Sequence, residues 1–417
     1  MSRTIEIAIS GNCSLALAPL SIRQEGDDYL VGERGSRSYL VMQAVGAEVV
    51  QMLQAGNTPA EVKRALCVKY ETPDITLAPF LQSLVQAGFV RAVAGRPVVV
   101  SRPSATKSAR MHREHIAWLF TAPMLALYAG LIAAGVAIAV LQPGLLPRPR
   151  DVILGQNYAL TVLASFLISL ANVAKHEAAH VVAAKYIGIE ARCSLSHRLF
   201  FPVIQTDLTD LWLVDPRRRY IAYVAGMVSD LVLAALLLIV LWLAGQGSLM
   251  IGPMSVSAMK LAIIVIAGGI VWQFNLFMRT DVYYIIANAL RCRDLAHDAR
   301  RYLLYRVRRL LRKAALADAP MLSKREARIV PVYTAIVVVG TTAAVLTAAA
   351  YVFTVLFFVF ATGHTGMSVA SGVAPGPQQR AAVAVMLAIS VALLGVSLVR
   401  ERRRERITYR LIAMGEL

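Results

Sequence analysis

Charged residues are scarce in this sequence: they occupy 16% of 417 positions, whereas hydrophobic residues occupy 57%. Typical soluble domains carry about 25% charged and about 45–50% apolar residues. This composition excludes a disordered chain and argues against an ordinary soluble enzyme. Negative charge is the scarcer sign, with 25 Asp and Glu against 43 Lys and Arg, a formal net charge of +18. Such an excess on an apolar chain is typical of proteins that contact an anionic membrane surface or nucleic acid.

Cysteine is also rare, and the four residues form no CxxC pair: Cys13, Cys67, Cys193 and Cys292. This spacing argues against a disulfide framework and against a thiolate zinc site. The first thirty residues lack the basic start and the apolar core of a secretory signal peptide, so we expect none.

Six apolar stretches are long enough to cross a bilayer, which takes about 20 residues of helix. They lie at about 117–141, 160–187, 220–244, 258–279, 330–360 and 380–399. We therefore predict a mainly α, six-span helical membrane protein with a small N-terminal α+β domain. The predicted segments are a soluble domain (1–100), a basic linker (101–116), a four-span core (117–290), a basic connector (291–328), and two further spans with a basic tail (329–417).

Positive charge alternates along the connecting segments. The linker, the second-to-third connection, the fourth-to-fifth connection and the C-terminal tail are rich in Lys and Arg, and the other connections contain few. By the positive-inside rule both termini are expected to be cytoplasmic. The expected location is a bacterial inner membrane, with the chain crossing it several times. Residues 291–316 repeat apolar side chains at about 3.6 between arginines, which predicts a basic helix on the inner leaflet. A solvated charged connector is the alternative.

The second span contains HEAAH at 176–180, near its inner end. On a helix, His176 and His180 lie on one face, so both imidazoles can bind one metal ion. Zinc accepts neutral imidazole nitrogen and favours tetrahedral coordination. Glu177, beside the first histidine, is placed to act as a general base on water rather than to bind the metal. The alternative is a polar cap at the water boundary, but ionisable groups in a spanning helix are costly unless they pair or bind something.

A catalytic zinc needs a third protein ligand, and acidic residues are few in the other spans. Asp281, which we place at the end of the fourth span, is expected at the same depth as His180. A site of two histidines and one aspartate is therefore geometrically possible. The alternative is an interfacial Asp281 that pairs with Arg279 or Arg291.

These motifs resemble those of site-2-protease-type intramembrane zinc metalloproteases, which pair HExxH on one span with an N…LDG segment on another. Here Asn275 precedes Asp281 by six residues, and the segment from Ala225 is similar to AGPxxN. The closest resemblance is to the peptide zinc metalloprotease branch, which the sequences DVYY at 281–284 and TDLTDLW at 206–212 match. Three positions differ from the family motifs, and none is a presumed ligand or the base: Met227 for Pro, Asp230 for Asn and Val282 for Gly.

The resemblance implies three zinc ligands: His176, His180 and Asp281. It also implies that Glu177 is the general base and that Asn275 helps to hold the substrate backbone or the oxyanion. Asp230 takes the place of a polar site residue, and we favour a role beside the ligands over a structural hydrogen bond. The loop 188–219 lies on the side of the metal. Its apolar segment 199–204 could pair with an extended substrate, and a hairpin resting in the interface is an equal alternative.

Residues 19–42 alternate as strands do, with a turn near 32–36. Helical patterns follow at about 42–54, 59–70 and 76–88, and a strand closes the domain. This order resembles the winged-helix fold of PqqD-like domains, which recognise leader peptides by adding them as a strand to a sheet edge. The matching pieces are Tyr29–Val31, the helix from Pro59 and residues 84–90. Nine basic and nine acidic residues in 1–100 provide no footprint for nucleic acid, so we expect a peptide partner.

Three functional hypotheses follow. The first is a zinc metalloendopeptidase that cuts a peptide at the cytoplasmic membrane boundary, in the maturation of a ribosomally made precursor recruited by the N-terminal domain. The second is a non-proteolytic receptor or an export or immunity component whose zinc is structural or residual, which predicts a closed four-ligand site. The third, a metal transporter, needs polar residues along a path across the bilayer, and the outer halves of the helices are almost wholly apolar.

Overall fold

The structure, a computed structural model, describes residues 13–25, 28–33, 39–98, 112–198, 201–292, 294–311, 322 and 325–361. Within these ranges the chain is mainly helical, with eleven α-helices and a small strand-containing N-terminal domain. The predicted sixth span, the C-terminal tail and most of the basic linker lie outside the described residues.

The N-terminal domain contains two three-stranded antiparallel sheets and three helices. Its elements are β1 (Leu15–Leu17), β2 (Leu20–Glu25), β3 (Asp28–Glu33), β4 (Tyr39–Met42), α1 (Ala44–Gln54), α2 (Pro59–Lys69), α3 (Ala78–Gln86), β5 (Val90–Val93) and β6 (Arg96–Pro97). The sheets have the orders β2-β3-β4 and β1-β5-β6. Their shared core buries side chains from all three helices and from β5, among them Val50, Leu66, Leu84 and Val90.

The three predicted helices of this domain are confirmed. α2 begins as its sequence indicates, because Thr58 and Glu61 form a capping box and Pro59 occupies the first turn. The region 19–42 differs from expectation, since it contains three strands rather than two. β2 and β3 already pair as a hairpin, with Glu25 opposite Asp28, before the chain reaches β4.

The rest of the described chain consists of helices and one hairpin. The elements are α4 (Arg113–Ile116), α5 (Ala122–Leu141), α6 (Tyr158–Ile187), β7 (Arg192–Arg198), β8 (Phe201–Asp207), α7 (Pro216–Gly245), α8 (Pro253–Trp272), α9 (Asp281–Ala289), α10 (Leu295–Leu310) and α11 (Glu326–Ala361). Five of these helices are long and apolar enough to cross a membrane, namely α5, α6, α7, α8 and α11. They indicate a membrane protein.

α7 is the central helix, because it packs against α5, α6 and α8. Small residues permit a close crossing with α5: a Cβ atom added to Gly135 would lie 2.6 Å from the Cβ of Ala235. Many apolar side chains on the outer faces are exposed, including Leu163 and Leu167 of α6. Exposed apolar faces of this kind are what lipid-facing helices require.

The fourth span ends earlier than predicted. α8 stops at Trp272 rather than near residue 279, and Arg279 has a left-handed backbone with φ 56°. The hydroxyl of Thr280 donates to the carbonyl of Gln273 over 2.5 Å and closes the intervening loop. Asp281 therefore does not end the fourth span; it begins the separate helix α9.

The basic segment expected at 291–316 is confirmed as a helix over its central part. α10 buries Leu295 and Ala299, and it packs against α11. Its later apolar side chains Leu304, Val307 and Leu310 are exposed among arginines. The helix is therefore amphipathic, with an exposed surface that combines apolar and cationic side chains.

Candidate metal centre

Three side chains from two helices converge on one point. His176 and His180 occupy adjacent turns of α6, and their Nε2 atoms lie 3.2 Å apart. Oδ2 of Asp281, the first residue of α9, lies 2.9 Å from Nε2 of His176 and 3.1 Å from Nε2 of His180. In tetrahedral zinc with bonds of about 2.0 Å, the ligand atoms are about 3.3 Å apart. The three atoms are therefore spaced to hold a metal ion of this size.

The other ring nitrogens of both histidines face hydrogen-bond acceptors. Nδ1 of His176 lies 2.8 Å from Oδ2 of Asp230, and Nδ1 of His180 lies 2.7 Å from the carbonyl oxygen of Ala222. These acceptors favour a proton on each Nδ1 and a lone pair on each Nε2. Both rings are buried, with 6% and 2% exposure. Three lone-pair atoms then meet at the centre, an arrangement that a cation between them stabilises.

One face of α7 supports this centre. Ala222, Gly226 and Asp230 follow one another at intervals of four residues, so they lie on the same face of the helix. A Cβ atom on Gly226 would lie 2.6 Å from Nε2 of His180 and closer still to Nε2 of His176. Only a residue without a side chain leaves room for both rings here. Gly226 is the glycine of the segment that resembles AGPxxN.

Asp230 is held between two cationic or hydrogen-bonding partners. It is 1% exposed, and its Oδ1 lies 2.7 Å from Nζ of Lys175 while its Oδ2 contacts His176. Lys175 also donates to the hydroxyl of Ser229 over 3.2 Å. A buried carboxylate is costly unless it is paired in this way. The geometry places Asp230 next to His176, a potential ligand, where its carboxylate orients the imidazole ring.

Glu177 follows His176 directly in the sequence but lies outside the three-residue group. Its Oε2 accepts a hydrogen bond of 2.6 Å from the hydroxyl of Thr206, which also contacts the backbone carbonyl of Glu177 at 3.3 Å. Thr206 belongs to β8, so the hairpin of β7 and β8 lies beside this carboxylate. The half-buried Glu177 is thus held at the edge of the centre without being one of its three converging groups.

The side-chain amide of Gln273 lies next to the three converging side chains. Its Oε1 accepts from the backbone N–H of Asp281 over 3.1 Å, and its Nε2 lies 3.4 Å from Nε2 of His176. Asn275, which the resemblance implies helps to hold the substrate backbone or the oxyanion, donates to the carbonyl of Trp272 over 3.0 Å. The sequence motifs did not single out Gln273, because it lies inside the apolar stretch predicted as the fourth span.

The structure bears on the alternative that Asp281 pairs with Arg279. Asp281 contacts the two histidines, and the acidic residue next to Arg279 is a different one. Nη2 of Arg279 lies 4.0 Å from Oδ1 of Asp294. The geometry therefore favours the ligand role of Asp281 over the alternative of an interfacial ion pair with Arg279.

No family model matches this chain, and comparisons with curated proteins and with solved structures likewise found no match.

Proposed function

We propose that the protein is a zinc metalloprotease embedded in a bacterial inner membrane, where it hydrolyses a peptide bond near the cytoplasmic boundary. The observation that supports this most directly is the meeting of His176, His180 and Asp281, with Glu177 adjacent to the first of them. Two imidazole nitrogens and a carboxylate oxygen form a donor set that zinc accepts. The HExxH spacing adds a base that need not bind the metal.

The side chains of the centre have distinct roles in this proposal. Zinc, when bound, polarises a carbonyl group and lowers the pKa of a water molecule. Glu177 accepts the proton from the attacking water and returns it to the leaving amine, while Thr206 holds the carboxylate in place. The amide N–H groups of Gln273 are close enough to the ligands to hold the substrate carbonyl.

The number of converging groups favours hydrolysis over a purely structural site. Among the residues that the structure describes, the cluster contains three potential ligands. Structural zinc sites use four protein ligands, whereas catalytic sites use three and keep one position for water or substrate. The receptor hypothesis requires a fourth protein ligand, so it has less support than the protease.

In this proposal the N-terminal domain has a winged-helix fold and supplies the peptide. β4 forms one edge of its sheet, and Val41 on that strand is 46% exposed. An extended precursor can add to such an edge through main-chain hydrogen bonds. This precursor would be a ribosomally made peptide that the membrane core then cleaves.

The proposed topology has six spans and cytoplasmic termini. α10 then rests on the inner leaflet, because its exposed leucines and arginines suit the boundary between acyl chains and anionic headgroups. The basic connections that follow the positive-inside rule support the same orientation.

The test is cleavage by full-length protein in lipid nanodiscs, measured by mass spectrometry on a mixed-sequence peptide library. Glu177→Gln should retain zinc and lose about 10²-fold to 10⁴-fold of the activity, the usual contribution of a general base. Glu114→Gln changes an exposed glutamate elsewhere and should cleave as the wild type does. Cleavage that survives Glu177→Gln would contradict the mechanism. A zinc-loaded wild type that cleaves nothing would favour the receptor hypothesis.

A further inference from the structure

A single buried arginine joins the N-terminal domain to the membrane core. Arg219, in the first turn of α7, is 0% exposed. Its Nη1 and Nη2 donate to Oε1 and Oε2 of Glu25, at the end of β2, over 2.9 and 3.2 Å. Two parallel charge-assisted hydrogen bonds form the strongest type of ion pair. The contact therefore fixes both the distance and the orientation between β2 and α7.

The remaining donors of Arg219 bind the core itself. Nε contacts the carbonyl oxygens of Leu211 and Val214 at 3.1 and 3.0 Å, and Nη2 donates to the carbonyl of Trp212 over 2.9 Å. The guanidinium also lies 4.7 Å from the centre of the Trp212 ring. Removing one partner of such a buried charge is strongly destabilising, because the charge is then left without full compensation. Arg219 thus connects the loop before α7 to the N-terminal domain through hydrogen bonds on both sides.

The last bond of Arg219 leads towards the metal centre. Nη1 lies 3.2 Å from Oδ1 of Asn288, a buried residue of α9, and Nδ2 of Asn288 donates to the carbonyl of Pro216 over 2.9 Å. α9 begins with Asp281, less than two helical turns from Asn288. On α7, Ala222 lies one turn beyond Arg219 and accepts the hydrogen bond of His180. Arg219 therefore lies on the helix that orients both histidines, and it contacts the helix that carries Asp281.

We propose that Arg219 is a positioning residue. Through its contacts with Glu25 and Asn288, the position of the N-terminal domain on the membrane core determines the position of the proposed ligand Asp281. This inference rests on the proposed metal site. It adds that the N-terminal domain of the same chain stabilises that site. Docking of the N-terminal domain stabilises α9 in the orientation that brings Asp281 to the histidines. Metal binding and domain docking then stabilise each other, because coupling between two sites is reciprocal.

The test uses three variants of the full-length protein and titration with Co²⁺, whose visible absorption reports the ligand geometry. Glu25→Gln keeps the shape of the side chain and removes its charge. Asn288→Ala leaves the Glu25–Arg219 pair in place and removes its bond to α9. Arg23→Gln is the matched control, because Arg23 lies on the same strand and its interdomain ion pair of 3.0 Å is with Asp215 rather than with Arg219.

We expect Glu25→Gln and Asn288→Ala each to weaken Co²⁺ binding by about fivefold or more, the usual size of coupling between sites. Both should alter the visible spectrum and speed hydrogen exchange of the amides at 281–289. Arg23→Gln should change none of these readouts. Glu25→Gln and Asn288→Ala remove contacts at opposite ends of the series Glu25–Arg219–Asn288. If both weaken Co²⁺ binding, we infer that the effect reaches the metal centre through α9.

Wild-type Co²⁺ affinity and wild-type exchange in Glu25→Gln would overturn the positioning role. An equal loss in Arg23→Gln would also overturn it, since the effect would then be general loosening of the domains. Normal binding in Asn288→Ala would show that α9 does not carry the signal. A wild type that binds no Co²⁺ would refute the metal site itself, and this is seen before any variant is compared.

Discussion

The absence of a side chain at Gly226 lets two imidazole rings lie against α7. A Cβ atom there would lie 2.6 Å from Nε2 of His180 and even closer to His176. Heavy atoms at these separations overlap, so either the rings must rotate or the helix must shift. Both movements would also strain the hydrogen bonds that the rings donate to Ala222 and Asp230 and that orient them.

Gly226→Ala should therefore lower zinc affinity by about 10-fold to 100-fold, the range seen when partners that orient metal ligands are disturbed. Isothermal titration of metal-free protein with zinc measures the effect. Gly130→Ala provides the control, because a Cβ atom at Gly130 in α5 would meet no atom within 4 Å. Unchanged zinc affinity in Gly226→Ala would contradict the proposed geometry of the centre.

At the residue scale, the sequence identified the side chains that follow from helical spacing. His176 and His180 lie on one face because they are four residues apart, and Asp281 was expected at the depth of His180. Thr206 and Gln273 were not identified as neighbours of the centre. Their positions depend on where β8 and the loop after α8 pack, and no local periodicity specifies that packing.

Among the elements, α11 supports the loop that presents Asp281. The hydroxyl of Tyr333 donates to the carbonyl of Leu276 over 3.0 Å. Gly340, two turns further along α11, lies against the ring of Phe277: a Cβ atom there would be 2.7 Å from its Cγ and closer to its Cδ1. The fifth spanning helix therefore fixes residues 276–278, just before the ligand.

Gly340→Ala should push Phe277 away and move the loop. We expect a loss of about 1–3 kcal/mol in stability, as for other overpacked sites, together with weaker zinc binding. Thermal unfolding in detergent and zinc titration measure the two effects. Gly268→Ala in α8 is the control, since a Cβ atom there meets nothing within 4 Å and alanine favours a helix by about 1 kcal/mol over glycine. A Gly340 variant as stable as the control would contradict the support by α11.

The predicted elements are most accurate where length and apolar periodicity decide the structure. Five of the six predicted spans correspond to described helices. The predicted end of the fourth span was wrong because the loop after Trp272 still contains several large apolar residues: Phe274, Leu276 and Phe277. Hydropathy continues through this loop, whereas the helix stops where Thr280 bonds back to Gln273.

At the scale of the whole molecule, several helix ends meet on one side of the core, and the first turn of α7 contacts the N-terminal domain there. The C-terminal part of α6, the first turns of α7 and the end of α8 surround the three potential ligands. The bond from Arg219 to Glu25 places the N-terminal domain at the same end of the helices. A peptide bound to that domain would therefore be on the side of the centre, as the proposed protease requires.

This arrangement could be predicted only in part. The alternation of basic segments placed the termini and the HEAAH motif on one side, but the contact between Glu25 and Arg219 joins residues 194 positions apart. The sequence next to Glu25 and next to Arg219 is like that around an ordinary exposed charged residue. Such long-range pairs depend on how two folded units meet, which composition and periodicity do not encode.

The measurement that tests the central claim most directly is the zinc content of the purified wild type beside His176→Ala and Asp281→Ala. His297→Ala is the matched control, because His297 is an exposed histidine outside the cluster. We predict about one zinc per chain in the wild type and in the control, as for a single catalytic site, and loss of zinc in both other variants. Zinc retained in Asp281→Ala, or a wild type that binds none after metal is restored, would contradict the proposed centre.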